Sequence, residues 1–243
     1  ILHFLWCSIR QWSGRGFIDQ LFLAVNIVFC HWKQWKDSPK WLSYAGGDVR
    51  RHDYVYAALP STVVPKVVTA NVTSYVSAKA FVETSDSELF FLQEPRIPED
   101  SALDFREQLR RQKIASALTP SRRTEAGGIS SGALILAKRT AQLAADPDDL
   151  PHEVVPHHAV AAIAQIHSGA PFLAICAYFV NGLGVKGANV DILAAIARRV
   201  GRRPLPFILG ADFNMTPSQL LECGWIDRID GVILWFGKNR PTY

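Results

Sequence analysis

A short apolar run, Pro206-Phe207-Ile208-Leu209, empties into Gly210-Ala211-Asp212-Phe213-Asn214, and this stretch constrains the fold more than any other part of the chain. A run of this length reads as a buried strand, and the Gly, Asp and Asn that follow end it. Strand side chains alternate between faces, so Asp212 and Asn214 point the same way while Phe213 turns back into the core. One carboxylate and one carboxamide therefore reach a common ligand. That pair suits a phosphoryl centre: the carboxylate binds a divalent cation or takes a proton from water, and the amide donates to a phosphate oxygen. The same letters also describe a plain strand-ending turn.

Other segments repeat the pattern. Lys66-Val67-Val68-Thr69-Ala70-Asn71 is a β-branched strand ending in Asn, and Glu88-Leu89-Phe90-Phe91-Leu92-Gln93-Glu94 is an apolar strand ending in Gln-Glu before Pro95. Gly127 to Lys138 reads as a Gly/Ser turn feeding a core strand. Pro171 to Asn181 reads as a strand leading to Tyr178 and Asn181. Helices are expected between strands. Ser74 to Ser85 follows the first strand, Pro98 to Lys113 opens on Pro with apolar residues at helical spacing, and Asn189 to Arg199 carries one stripe of Ile192, Leu193, Ile196 and Val200. Ala159 to Ile166 and Pro171 to Ala177 form an antiparallel hairpin. Strands alternating with helices predict a layered α/β sandwich.

The order of these motifs resembles the endonuclease/exonuclease/phosphatase family, in its deoxyribonuclease-like and apurinic/apyrimidinic endonuclease branch. Its motif order is a strand ending in Asn, a strand ending in Gln-Glu, an S-G-x-A strand, a Tyr-x-x-Asn strand end and Gly-Asp-Phe-Asn. Here these correspond to Asn71, Gln93-Glu94, Ser131-Gly132-Ala133, Tyr178 to Asn181, and Gly210 to Asn214 with Ala211 inserted. The resemblance spans Lys66 to Asp230 and implies a four-layer α/β sandwich, two packed mixed sheets flanked by helices. It implies a divalent-metal-dependent phosphodiester hydrolase acting on nucleic acid, DNA in particular, with Mg²⁺ or Mn²⁺ as cofactor.

Roles follow from the resemblance residue by residue. Glu94 holds the metal, and Asn71 lies in its shell or on the phosphate. Asp212 orients or deprotonates water, Asn214 and Asn181 grip phosphate oxygens, and Tyr178 donates its hydroxyl on the leaving side. Each residue also has a plain structural reading: a surface acid for Glu94, a capping amide for Asn71, an edge aromatic for Tyr178.

The departures carry weight as well. Thr73 stands where many members have an acidic or amide group. The C-terminal Ser-Asp-His segment has no counterpart, because all seven histidines (His3, His31, His52, His152, His157, His158 and His167) precede Gly210. The expectation is therefore a sheet incomplete at its C-terminal side, with an open edge and weak or absent turnover. The alternatives are an active enzyme whose closing residues lie elsewhere, a degenerate retroelement-type endonuclease domain, and a non-catalytic nucleic-acid-binding module. His157 and His158 read as strand-start residues.

Composition sets the frame for these motifs. With 243 residues, 49% of them hydrophobic, the chain is long enough for one sizeable core. The net charge of +4 fits a polyanionic partner without demanding one. Basic clusters at Arg106-Arg110-Arg111-Lys113, Arg122-Arg123 and Arg198-Arg199-Arg202-Arg203 read as solvated faces. Four scattered cysteines with no C-x-x-C pair argue against a zinc site and for a reducing, intracellular compartment, nucleus or cytoplasm.

Residues 1–60 differ from 61–243, which form the expected catalytic-type domain. Five of the seven tryptophans fall in 1–60. Phe17 to Cys30 is apolar but broken by Asp19, Gln20 and Asn26, too short and too polar for the roughly 20 apolar residues of a membrane-spanning helix. An interfacial membrane-surface helix, a packing extension and non-native sequence are the open readings, with membrane contact the less favoured. The opening Ile1 reads as the start of a fragment.

Overall fold

The computed structural model describes residues 66–125, 127–144, 151–166, 169–202 and 205–235, together with the backbone of 26–30; at 234–235 it likewise describes backbone only. The N-terminal tryptophans, residues 17–25 of the apolar run and residues 236–240 lie outside these.

Four strands make the smaller sheet: β2 (Val67–Asn71), β3 (Leu89–Gln93), β7 (Ala133–Ala137) and β4 (Ala115–Thr119), in the order β2-β3-β7-β4. The larger sheet contains β1 (Asn26–Cys30), β8 (Ala141–Ala144), β9 (Glu153–Val155), β10 (Ala159–Ile166), β11 (Phe172–Tyr178), β12 (Phe207–Asp212) and β13 (Ile233–Trp235). Its order is β13-β1-β12-β11-β10-β8, with β9 also on β10. A short ladder of β5 (Arg122–Arg123) and β6 (Ile129–Ser130) stands apart.

The helices are α1 (Tyr75–Thr84), α2 (Ala102–Arg111), α3 (Ala188–Gly201), α4 (Pro217–Glu222) and α5 (Trp225–Arg228). Three apolar clusters show how the layers stack. Phe90, Leu92, Leu134 and Leu136 face α1 and α2 through Ala78, Val82 and Leu109. Their neighbours Leu89, Phe91 and Ile135 face Val160, Ala162, Ala174 and Cys176 of the larger sheet. The alternate residues Ile175, Ala177, Leu209 and Ala211 then meet α3 and α5 through Ile192, Ile196 and Trp225. Period-two alternation thus gives the central strands β3, β7, β11 and β12 two buried faces, and the layers run helix, sheet, sheet, helix. Fully burying side chains such as Phe90, Phe91 and Phe207 stabilises the fold by about 1.5–3 kcal/mol each.

Two parallel pairs set the position of the site. β2 and β3, joined through α1, align Asn71 with Gln93; β11 and β12, joined through α3, align Tyr178 with Asp212. In both pairs the polar residues fall at the strands' C-terminal ends, where open α/β sheets bind ligands.

β12 lies inside its sheet and not at an edge. β1 runs antiparallel along it, Asn26 opposite Asp212 through Cys30 opposite Ile208, and β13 pairs with β1 in turn. Strand hydrogen bonds on both sides of β12 satisfy backbone groups that an edge would leave exposed. Among the described residues no helix is long and apolar enough to cross a membrane.

Candidate active site

Strand parity delivers the polar groups to one layer. In β2, Val67 packs in the inter-sheet core, so Thr69 and Asn71 share that face; in β11 and β12 the inner positions Cys176 and Gly210 are followed two residues later by Tyr178 and Asp212. The apolar core between the sheets ends where these residues begin. Gly210 lets the two sheets close at this point: a Cβ there would lie 2.6 Å from the Cβ of Phe91.

Directly above Gly210, Gln93 cross-links the layers. Its side chain is fully buried, and Nε2 donates to the carbonyl of Gly210 at 3.2 Å and to Thr69 Oγ1 at 3.2 Å. Gln93 is thus a brace between β2, β3 and β12, and it fixes the height at which Glu94 leaves the strand.

Asn71 is the hub. Its Nδ2 donates to Glu94 Oε1 at 3.0 Å and to Asp212 Oδ2 at 2.9 Å, while its Oδ1 accepts from the backbone N–H of Thr73 at 3.1 Å. An N–H on one side and two carboxylates on the other leave a single sensible orientation for the amide. Thr73, which departs from the family pattern in its side chain, contributes here through its backbone.

The loops that present these groups are bent the same way. Thr73, Glu94 and Asn214 have φ of 51°, 52° and 47°, in the left-handed region that non-glycine residues seldom occupy. Such conformations cost on the order of 1–3 kcal/mol each and persist where surrounding contacts hold them. For Glu94 the holding contact is its N–H donated to the carbonyl of Gly132 at 3.1 Å. The Ser131-Gly132-Ala133 turn therefore acts on Glu94 through its backbone.

Asp212 is buried, and burial raises its pKa above the usual aspartate range. The Asn71 amide and the Asn214 N–H, which donates to Oδ1 at 3.3 Å, oppose that rise, and the negative charge of Glu94 adds to it. Tyr178 is likewise raised, first by burial and then by the neighbouring Glu94 carboxylate. A protonated phenol, two carboxylates and one bridging amide thus occupy one centre.

Of the six residues expected from sequence, the structure brings Asn71, Glu94, Tyr178 and Asp212 into direct contact. Asn214 joins through its backbone N–H, while its Nδ2 donates to the carbonyl of Phe179 at 2.7 Å and so ties the turn after β12 to the end of β11. Asn181 is exposed on the following loop and makes no hydrogen bond to the others among the described residues. That loop is pinned from below by Asn189, whose Nδ2 donates to the carbonyls of Val180 at 3.0 Å and Gly184 at 2.9 Å, while Oδ1 accepts from the Val180 N–H at 2.8 Å.

Three residues were not expected. Arg96 is exposed beside the centre, and its charge acts on Tyr178; its position two residues after Glu94 is the signal that sequence offered. Asn189 sits fully buried in the first turn of α3, where it reads as helix sequence. His158 stacks on Tyr178, its ring centroid 6.3 Å away and its plane tilted by 9°. In the basic clusters Arg110 and Arg111 bind Glu107 at 2.8 Å and 3.2 Å, and Arg123 binds Asp100 at 2.6 Å.

Among the described residues, no three His, Cys, Asp or Glu side chains group to hold a metal. The two carboxylates with the Asn71 amide do fit a hard cation such as Mg²⁺, which commonly takes one or two carboxylates and keeps several waters. Two anionic groups around one buried point, with Asp212 pushed toward its neutral form, are what a cation would relieve.

No protein-family model matches the chain, and no curated protein matches it. Among solved structures, it is similar to the human Nocturnin catalytic domain with bound sulfate (16% identity, TM-score 0.42, 63% of this chain and 60% of that one). It is similar to the endonuclease domain of TRAS1, a telomere-specific non-LTR retrotransposon (15%, 0.42, 68% of each), and to the AP endonuclease LMAP from Leishmania major (14%, 0.45, 68% and 66%). The chain thus spans 60% to 68% of the length of these structures. The described residues form an α/β fold of mixed sheets flanked by helices.

Proposed function

We propose that this centre is a divalent-cation-dependent phosphodiester hydrolase site whose substrate is nucleic acid, DNA in the first instance. The observation that carries the reading is the Asn71 amide, which joins Glu94 from one sheet to Asp212 from the other at 3.0 Å and 2.9 Å. Glu94 and Asp212 would hold Mg²⁺ or Mn²⁺, with Asn71 in its surroundings; when bound, the cation supplies charge stabilisation at a phosphate oxygen.

The chain's own residues do the rest. Asp212 orients an attacking water with the carboxylate oxygen it does not give to the cation. Asn71 keeps the two carboxylates from repelling one another and fixes the angle of each. Tyr178, held protonated, presents its hydroxyl as a donor to developing charge. Arg96 at the rim meets a phosphate oxygen, and the second N–H of Asn214 and the exposed amide of Asn181 offer further donors.

A second reading, binding without turnover, is favoured by one observation: among the described residues no histidine hydrogen-bonds Asp212 or Asn214. Cleavage of plasmid and abasic DNA with added Mg²⁺ or Mn²⁺, with Asp212→Asn as control, separates the two. Cutting that needs the cation and disappears in Asp212→Asn supports the hydrolase; salt-sensitive binding with no cutting supports the binding module.

A further inference from the structure

His158 lies at the start of β10, beside the end of β11, and two contacts fasten it to Tyr178. Its Nδ1 lies 3.0 Å from the Tyr178 carbonyl oxygen, and its ring lies nearly parallel to the phenol. A carbonyl oxygen only accepts, so Nδ1 carries the proton, and this fixes the orientation of the ring. The backbones are coupled as well, the Tyr178 N–H donating to the His158 carbonyl at 2.8 Å.

We propose that His158 is a positioning residue of this site: stacked on Tyr178 and tethered to its carbonyl, it holds the phenol in the orientation that sets its hydroxyl beside Glu94. The inference rests on the hydrolase reading for its catalytic consequence, but the His158–Tyr178 coupling can be tested without activity. A tyrosine at a strand end has χ1 and χ2 free to choose among several wells, and only some of them set the hydroxyl beside Glu94. Aromatic stacking at this centroid spacing adds selectivity among them. Burial, with His157 and Arg122 nearby, lowers the pKa of His158, so at neutral pH the ring stacks as a neutral imidazole and Arg96 remains the cation beside Tyr178.

The neighbourhood holds His158 in turn. His157 has a left-handed backbone, its Nδ1 lies 2.9 Å from the Pro120 carbonyl, and its N–H donates to Thr119 Oγ1 at 2.8 Å. The carbonyl of His157 accepts from Gly132 N–H at 2.7 Å, and the carbonyl of Gly132 accepts from Glu94. One chain of contacts therefore reaches both Tyr178 and Glu94. The sheet that carries Glu94 and the sheet that carries Tyr178 are locked together through residues 157 and 158.

Two substitutions divide the contacts. His158→Asn keeps an N–H for the carbonyl and removes the ring; His158→Phe keeps a ring and removes the N–H, so one variant reports if the other does not fold. In the full chain carrying ¹³C-labelled tyrosine, with the Tyr178 resonance identified through Tyr178→Phe, both substitutions are expected to move the Tyr178 ring signals. In the cation-dependent cleavage assay, His158→Asn is expected to lower kcat about 10- to 100-fold, the scale of a small misplacement of a working group, with little change in KM. In the Tyr178→Phe background it should cost nothing further. Tyr178 signals unmoved by both substitutions, or a full additive loss of kcat in that background, overturn the proposal. Tyr178 signals that move in a protein with no cleavage support the positional link and overturn the hydrolase reading instead.

Discussion

The two sheets contribute to the centre in different ways. On the smaller sheet, Asn71 and Glu94 sit in or just past strand ends and are aimed by backbone groups: the Thr73 N–H holds the amide, and the Gly132 carbonyl holds Glu94 in its left-handed conformation. On the larger sheet, Tyr178 and Asp212 are still within strands, side by side in parallel register, and are aimed by the pleat itself. The first pair depends on turns and the second on core packing. Burial separates the two carboxylates, Asp212 being buried while Glu94 is only partly so. Two carboxylates bridged by one amide thereby acquire different environments, one partly open to solvent and the other enclosed.

The largest effect should come from the strand-held side. Asp212→Asn is expected to reduce cation-dependent cleavage about 10²- to 10⁴-fold, measured as single-turnover rate on plasmid DNA. Gly210→Ala attacks the packing that positions it. A methyl 2.6 Å from Phe91 must push the sheets apart, at a cost of about 1–3 kcal/mol in denaturant unfolding. Asn71→Ala attacks the link between the sides. It removes donors to two carboxylates, and hydrogen bonds to charged groups contribute about 1.5–3 kcal/mol each, so cleavage should fall together with stability.

A smaller, pH-dependent effect tests the burial of Asp212 in the metal-free protein. Its folded pKa lies above the unfolded one, so folding takes up a proton just above the ordinary aspartate value of about 3.9. Stability relative to Asp212→Asn should rise as pH falls through that window and be least favourable at neutral pH, as read from denaturant midpoints. The smallest effect lies away from both sides. Glu107 binds Arg110 and Arg111 on an exposed helix face, where its pKa is pulled down to about 2, yet Glu107→Gln should leave the unfolding midpoint and cleavage unchanged.

Strand alternation made the larger-sheet side legible from sequence. Pro206 to Asn214 and Pro171 to Tyr178 each have an apolar run that stops at a polar residue; spacing by two predicts a shared strand face for Asp212 and Asn214, but the strand ends at Asp212 and Asn214, with φ 47°, turns its side-chain amide to the Phe179 carbonyl. The helices between strands followed from periodicity, with α3 at Ala188–Gly201 against an expected Asn189–Arg199. What the letters did not carry was backbone-mediated. Thr73 looked like a lost ligand because its part is played by an N–H, and the Ser131-Gly132 turn acts through a carbonyl. Asn189 reads as helix sequence and is a loop clamp because three backbone groups of residues 180 and 184 turn toward it. His158 is silent for the same reason: a strand-start histidine gains meaning only when the neighbouring strand brings Tyr178 beneath its ring. The strand at Asn26–Cys30 was hidden by an apolar stretch that carries no clear period, and its place beside β12 depends on a long-range pairing.

The claim on which the rest depends is that Glu94 and Asp212, from different sheets, form one cation centre. Mn²⁺ titration of the full chain, followed calorimetrically for the unaltered protein, Glu94→Gln and Asp212→Asn, tests it without requiring turnover. The account predicts a single site that either substitution weakens sharply. Binding left intact by both substitutions, or two sites of which each substitution removes only one, would contradict it.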